Sequence, residues 1–143
     1  MTAIRELIFE AIVDTLTAAQ VAPEIERMPS GDPIAYPAVE IVDLGDVPAT
    51  GEAGTDRWVM TFAVTGMVQA DTGAEAHAAM NALDTAVIEA LFVEPVLGGL
   101  ATEITADRLQ PGIVERAERR QLYFERTFNL YYATRRGMPQ VID

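Results

Sequence analysis

His77 is the single histidine of this 143-residue chain, and the side chain best suited to move a proton near neutral pH. Asn81 and Asp84 follow it at helical spacing, so a helix would set the three near one another at the surface. A catalytic histidine needs a nucleophile within reach. The chain has no cysteine, and no serine or threonine stands in a Gly-x-Ser-x-Gly elbow. His77 therefore reads as a solvated helix residue. The lack of cysteine also removes disulfides, thiolate chemistry and the common Cys/His zinc sites.

Carboxylates are the other abundant chemical group. Glu24/Glu26, Asp43/Asp46 and Glu115/Glu118 are close in sequence, but among 22 acidic residues such pairs arise by chance. A general acid–base pair is a spatial arrangement, and spacing alone leaves it open. No calcium loop of the Asp-x-Asp-x-Asp-Gly kind is present. Gly98-Gly99 leads towards a strand, not a helix, so it reads as a helix stop and not as a phosphate cradle. The expectation is a protein that is not an enzyme and carries no cofactor or metal.

The basic residues are all arginine, and they are unevenly placed. Residues 1–107 hold 18 acids and 3 arginines, net −15; residues 108–143 hold 4 acids and 7 arginines, net +3; together these give the overall −12. An acidic body argues against general nucleic-acid binding, which uses basic side chains to displace counterions. Arg116, Arg119, Arg120, Arg135 and Arg136 form two groups flanking the last long apolar segment. Arginine suits interfaces because its planar fork pairs with carboxylates. These five are candidate contacts to the acidic region of a neighbouring subunit, against the plainer reading of a solvated surface.

Thr2 is placed to cap a helix in which Ile4, Leu7, Ile8, Ala11, Ile12 and Leu16 recur at steps of three and four, ending near Gln20. Residues 22–37 contain Pro23, Pro29, Pro33 and Pro37 and read as a connector. Ala38–Leu44 is a short strand, and the glycine-rich stretch Gly45–Thr55 a mobile loop. Asp56–Gln69 alternates cleanly: Trp58, Met60, Phe62, Val64 and Val68 share an apolar face, and Arg57 to Gln69 on the odd positions share a mixed one. Thr72 and Glu75 make a capping box for a second helix reaching about Phe92, with Ala76, Met80, Leu83, Val87 and Leu91 as its buried stripe. Ala101–Gln110 is a strand. Pro111-Gly112 is a turn signal, and the stretch to Arg120 fits a hairpin loop or a short helix. Leu122–Thr134 is a second long strand, its even face holding Leu122, Phe124, Phe128, Leu130 and Tyr132 with Arg126 among them. The end is a short tail.

The order α-β-β-α-β-β predicts an α/β (α+β) fold in one domain spanning 1–143: a mainly antiparallel four-stranded sheet with both helices packed on one face. The mixed strand faces then remain for partners. Thr61 and Thr127 mark them, and Val47 and Glu52 mark the loop as further partner contacts. The N-terminus has no basic-then-apolar leader and no apolar run nears the ~20 residues of a membrane helix, so a cytoplasmic origin without membrane contact is expected.

The layout resembles the tail terminator (tail completion) proteins of long-tailed bacteriophages and related gene-transfer particles. The resemblance is carried by the N-terminal amphipathic helix, Tyr36-Pro37-Ala38-Val39-Glu40-Ile41 entering the first strand, and the long strand Arg57 to Val64. It continues through Ala86-Val87-Ile88-Glu89-Ala90-Leu91 closing the second helix, Leu97-Gly98-Gly99-Leu100-Ala101, and Phe128-Asn129-Leu130-Tyr131-Tyr132-Ala133-Thr134. It covers nearly the whole chain, though the family has no sharp signature motif. It implies a structural virion protein at the neck of the tail, assembled in the host cytoplasm. Such proteins form a hexameric ring on the tail tube, stop its elongation and meet the head connector or stopper protein. DNA passes through the ring without specific binding, which an acidic lumen would suit. The alternative is an acidic secretion-type chaperone, a dimer that wraps an extended client; it usually has a further C-terminal helix, for which Arg135–Asp143 is short.

Overall fold

The computed structural model describes residues 2–114 and 119–143. Arg116 and the Glu115/Glu118 pair therefore lie outside the described residues.

Helix α1 spans Ile4–Ala18 and buries Ile4, Ile8, Phe9, Ile12 and Leu16. Its N-cap is Ala3, without a side-chain hydrogen bond, and not Thr2 as the sequence suggested. The helix begins one residue later because the Ala3 carbonyl already accepts from the Glu6 and Leu7 amides.

The connector expected at 22–37 contains a strand, β1 (Glu24–Arg27), which pairs in parallel with β2. Four residues are too few to show a period, and their place is held from outside. Arg27 donates two hydrogen bonds to the Glu6 carboxylate on α1, at 2.9 and 2.5 Å. The Met28 amide donates to the Ile41 carbonyl.

Strand β2 spans Ala38–Ala49, well past the expected end at Leu44. Leu44 and Gly45 form a bulge between Asp43 and Asp46, after which pairing with β3 resumes. Gly45 sits at φ +93, where a Cβ would be strained. Most of the segment read as a mobile loop is thus strand, and only the turn before Thr55 remains. Glycine in a strand reads as a loop from composition, but here it makes the bulge.

Strand β3 (Thr55–Ala70) pairs antiparallel with β5 (Arg120–Arg135) over 16 residues without a register shift. Helix α2 spans Gly73–Val93, and the Thr72 hydroxyl accepts from the Glu75 amide at 3.2 Å, as the capping box requires. α2 has a mean hydropathy of 1.2 over a window long enough to cross a membrane. Its apolar stripe, however, packs in the same core as the sheet, as the central helix of a folded domain does.

A 3-10 turn at Leu97–Gly99 leads to β4 (Glu103–Val114). β4 runs through Pro111-Gly112, the expected turn, with Pro111 opposite Phe124. Proline is tolerated because β4 is an edge strand and the missing N–H need not donate. The polar tail also pairs: β6 (Met138–Ile142) returns along the end of β5. The Thr55 hydroxyl, hydrogen-bonded to the Asp143 carboxylate, helps to hold it there.

The fold is therefore α+β with two helices, but the sheet has six strands in the order β1-β2-β3-β5-β4, with β6 beside β5. It is mixed, not purely antiparallel, because β1 joins in parallel. Even-numbered residues of β3 and β5 form one core with both helices: Met60, Phe62 and Val64 meet Phe124, Phe128 and Leu130, all 0% exposed. Phe62 and Phe128 stack at 5.2 Å between centroids. Each such side chain contributes about 1.5–3 kcal/mol on full burial.

Candidate assembly interface

Asp43 and Asp46, one of the carboxylate pairs close in sequence, form a structural clamp. The bulge turns both carboxylates towards α1. Arg5 donates to both oxygens of Asp43, at 2.6 and 2.5 Å, and through Nε to Asp46 at 3.1 Å. The Tyr132 hydroxyl donates to the same Asp46 oxygen at 2.7 Å. The hydrogen bond from Arg5 holds the Asp43 carboxyl below its ordinary range. Burial, then the hydrogen bond to Asp46, pushes the Tyr132 phenol well above its ordinary range. Groups fixed as anion, cation and neutral phenol cement an element junction and are ill placed to exchange protons. Glu24 and Glu26 are likewise engaged, with the Ile34 amide and with Ser30.

Asp84, expected beside His77 at the surface, is instead 7% exposed and pairs with Arg126. Arg126 lies on the core face of β5 and would be a buried charge without this partner. His77 itself is exposed and lines an open groove of about 860 Å³ with Met80, Pro111, Ile113, Arg120 and Leu122. Among the described residues no carboxylate or hydroxyl residue lines the groove beside it. Among the described residues no group of three potential ligands could hold a metal ion.

The opposite, odd-numbered face of the sheet brings together three of the expected contact residues, Val47, Thr61 and Thr127. Register places Val59 opposite Tyr131, Thr61 opposite Asn129, Ala63 opposite Thr127 and Met67 opposite Tyr123. Val47 pairs with Val59 and so shares this face, 60% exposed. The larger side chains of this face, Val59, Met67, Tyr123 and Tyr131, stand outside the core cluster. Thr61 donates to the Asn129 side-chain oxygen at 3.0 Å. The Thr127 hydroxyl accepts from the Arg108 amide at 3.1 Å, beside the β4 irregularity between Ala106 and Leu109. The face thus carries β-branched and aromatic bodies with small polar groups, a surface suited to protein contact.

The arginines do not form one patch. Arg120 starts β5 and Arg135 ends it, so at the usual strand rise of ~3.3 Å the two groups stand about 50 Å apart. Arg119 approaches Asp71 at 3.5 Å, and Arg136 approaches Asp56 at 3.6 Å with a further hydrogen bond to the Glu52 carbonyl. The Glu52 carboxylate pairs with Arg57. Among the described residues Arg120 and Arg135 are exposed and make no ion pair of their own. The structure therefore joins Val47, Thr61 and Thr127 on one face. It sets Glu52, Arg135 and Arg136 at one end of the long strands and Arg119 and Arg120 at the other. The groove was not legible in sequence, because Ile113 lies in the segment whose pattern fitted either a loop or a helix.

No protein-family model matches the sequence, and no curated protein matches it. Its fold, however, is similar to that of solved chains. One belongs to the virion of a native gene transfer agent particle, with a TM-score of 0.58, 17% identity, and coverage of 85% of this chain and 92% of that one. At that identity the likeness is one of fold, and it extends over nearly the whole of both chains.

Proposed function

We propose that this protein is a structural component of a phage-like particle, a tail terminator that acts by assembly and without catalysis. It forms a homo-oligomeric ring, six-membered in the related proteins it resembles, that caps the tail tube, stops its elongation and offers a surface to the head connector or stopper protein. The observation that carries this reading is the fold shared along nearly the full length with a gene transfer agent virion chain. The half-open sheet face with Val47, Thr61 and Thr127 supports it, since it provides a surface for subunits or tube. The net charge of −12 suits a ring through which DNA passes without being held.

Electron microscopy of the purified protein tests the reading. Rings with a central hole, and particles whose tails lose their uniform length when this chain is deleted, are the expected outcomes. A stable dimer by mass, with tail length unchanged on deletion, would overturn it in favour of the chaperone reading.

A further inference from the structure

The two ends of α2 carry complementary surfaces. At its C-terminal end Phe92, Val93 and Val96 are 38%, 85% and 39% exposed, an apolar knob with little covering it. Exposed Glu89 and Glu94 flank it, and the last turn of the helix holds no basic residue. The helix dipole adds negative character there. At the N-terminal end lies the groove between α2 and the β4–β5 hairpin, with Met80, Ile113 and Leu122 as apolar lining and Arg120 and His77 as its polar members. Ile113 is 68% exposed, so the groove is open to an occupant. Glu75, in the first turn of α2, is an opposing charge near this end of the helix.

We infer that the groove is the seat for the α2 C-terminal knob of a second copy of this chain, with Val93 entering against Met80 and Ile113 and Glu94 facing Arg120. The inference deepens the ring reading and rests on it. Helix α2 has 21 residues, so at 1.5 Å per residue its ends are about 30 Å apart and one molecule cannot fill its own groove. The knob is apolar and carries Glu94, and the groove is apolar and carries Arg120 as its lining cation among the described residues, so the two are matched in apolar character and in that one charge pair. Because knob and groove are different surfaces, the contact is head-to-tail. An open chain of copies keeps one unfilled groove at one end and one free knob at the other until the set closes, which is how a ring arises. Two identical knobs would set Glu89 and Glu94 against their own copies.

The cysteine-free chain permits a direct test. Val93→Cys and Ile113→Cys, both at exposed positions, are combined in one chain and oxidised in the assembled state. A covalent ladder of dimer, trimer and higher species, absent from either single variant, is the expected result. Arg120→Glu should weaken association at least about tenfold, and Glu94→Arg in the same chain should restore it. Rings that form without cross-linking would overturn this contact while leaving the ring reading intact. Failure to assemble beyond a monomer or dimer in the unmodified protein would overturn both. Dimers from Val93→Cys alone would mean a symmetric contact, and a groove that links only to another virion protein would mean a different occupant; either result overturns the inference.

Discussion

Arg126 and Asp84 meet through two hydrogen bonds, Nε to Oδ1 at 3.0 Å and Nη2 to Oδ2 at 2.8 Å, joining the core face of β5 to α2. Both side chains are largely buried, 16% and 10% exposed, and the hydrogen bonding to Asp84 holds the Arg126 guanidinium more firmly protonated than usual. The pair fills a position that is otherwise part of an apolar row. Removing one partner therefore strands a charge. Asp84→Ala should destabilise the fold by about 3–5 kcal/mol, whereas Asp84→Leu with Arg126→Met should lie within about 1–2 kcal/mol of the parent. Chemical denaturation of the singles and the double checks this; equal losses in single and double would contradict it.

Gly66 faces the same core and lies opposite Phe124. A Cβ there would come within 2.2 Å of the Phe124 ring and 2.9 Å of Leu83. Phe124 is buried in the sheet and Leu83 is a buried residue of α2, so both have little room to give. Gly66→Ala should therefore cost about 1–3 kcal/mol through overpacking, against the usual gain in strand propensity. A thermal melt compared with Gly66→Ala/Phe124→Leu tests the cause, since the smaller partner should recover part of the loss.

The pH dependence has two opposing parts. Asp43 has its pKa lowered in the folded state, first by the hydrogen bond from Arg5. A depressed carboxylate stabilises the fold above its unfolded pKa, and that contribution is lost as pH falls through the folded value. The loss thus lies below about pH 4. Arg5→Met should flatten the acid limb of a melting-temperature profile in that range. Glu40 has the reverse sign. Burial raises its pKa, with Glu26, Glu24 and Asp32 adding repulsion. Its stabilising protonated form is present at low pH and lost as pH rises through the folded value. Glu40→Gln should raise the melting temperature at pH 7 and lose that advantage below about pH 4. A uniform offset at all pH values would contradict the assignment.

The odd sheet face makes a different prediction, because its larger side chains lie outside the core cluster. Thr61→Arg or Thr127→Arg places a long charged side chain among Asn129, Tyr131 and Val59. Thr61→Arg removes one hydrogen bond and Thr127→Arg two, each worth about 0.5–1.5 kcal/mol, so the monomer should remain folded by circular dichroism. Assembly measured by mass should fall sharply. Normal assembly by both variants would remove this face from the set of contacts.

The long elements were readable locally. β3 and α2 repeat their apolar residues often enough to declare a period of two or of about three and a half. Thr72 and Glu75 announce a helix start, and Phe62, Phe124 and Phe128 could be placed in the core from parity alone. The mixed faces and the exposed His77 followed from the same periodicity. Tertiary structure decided what had no period. β1 and β6 are short, and each is held by partners distant in sequence: Glu6 and Ile41 for one, Thr55 and Ala133 for the other. Gly45 and Pro111 signal turns in isolation, yet a bulge absorbs the first and an unpaired edge tolerates the second. Asp84 looked like a surface residue because its helix position did not reveal the arginine 42 residues away that draws it inward. The two arginine groups were legible as separate in sequence, and the continuous 16-residue strand sets how far apart they stand. Local spacing encodes which face a residue takes, but only the folded chain sets which distant charge, edge or groove that face meets.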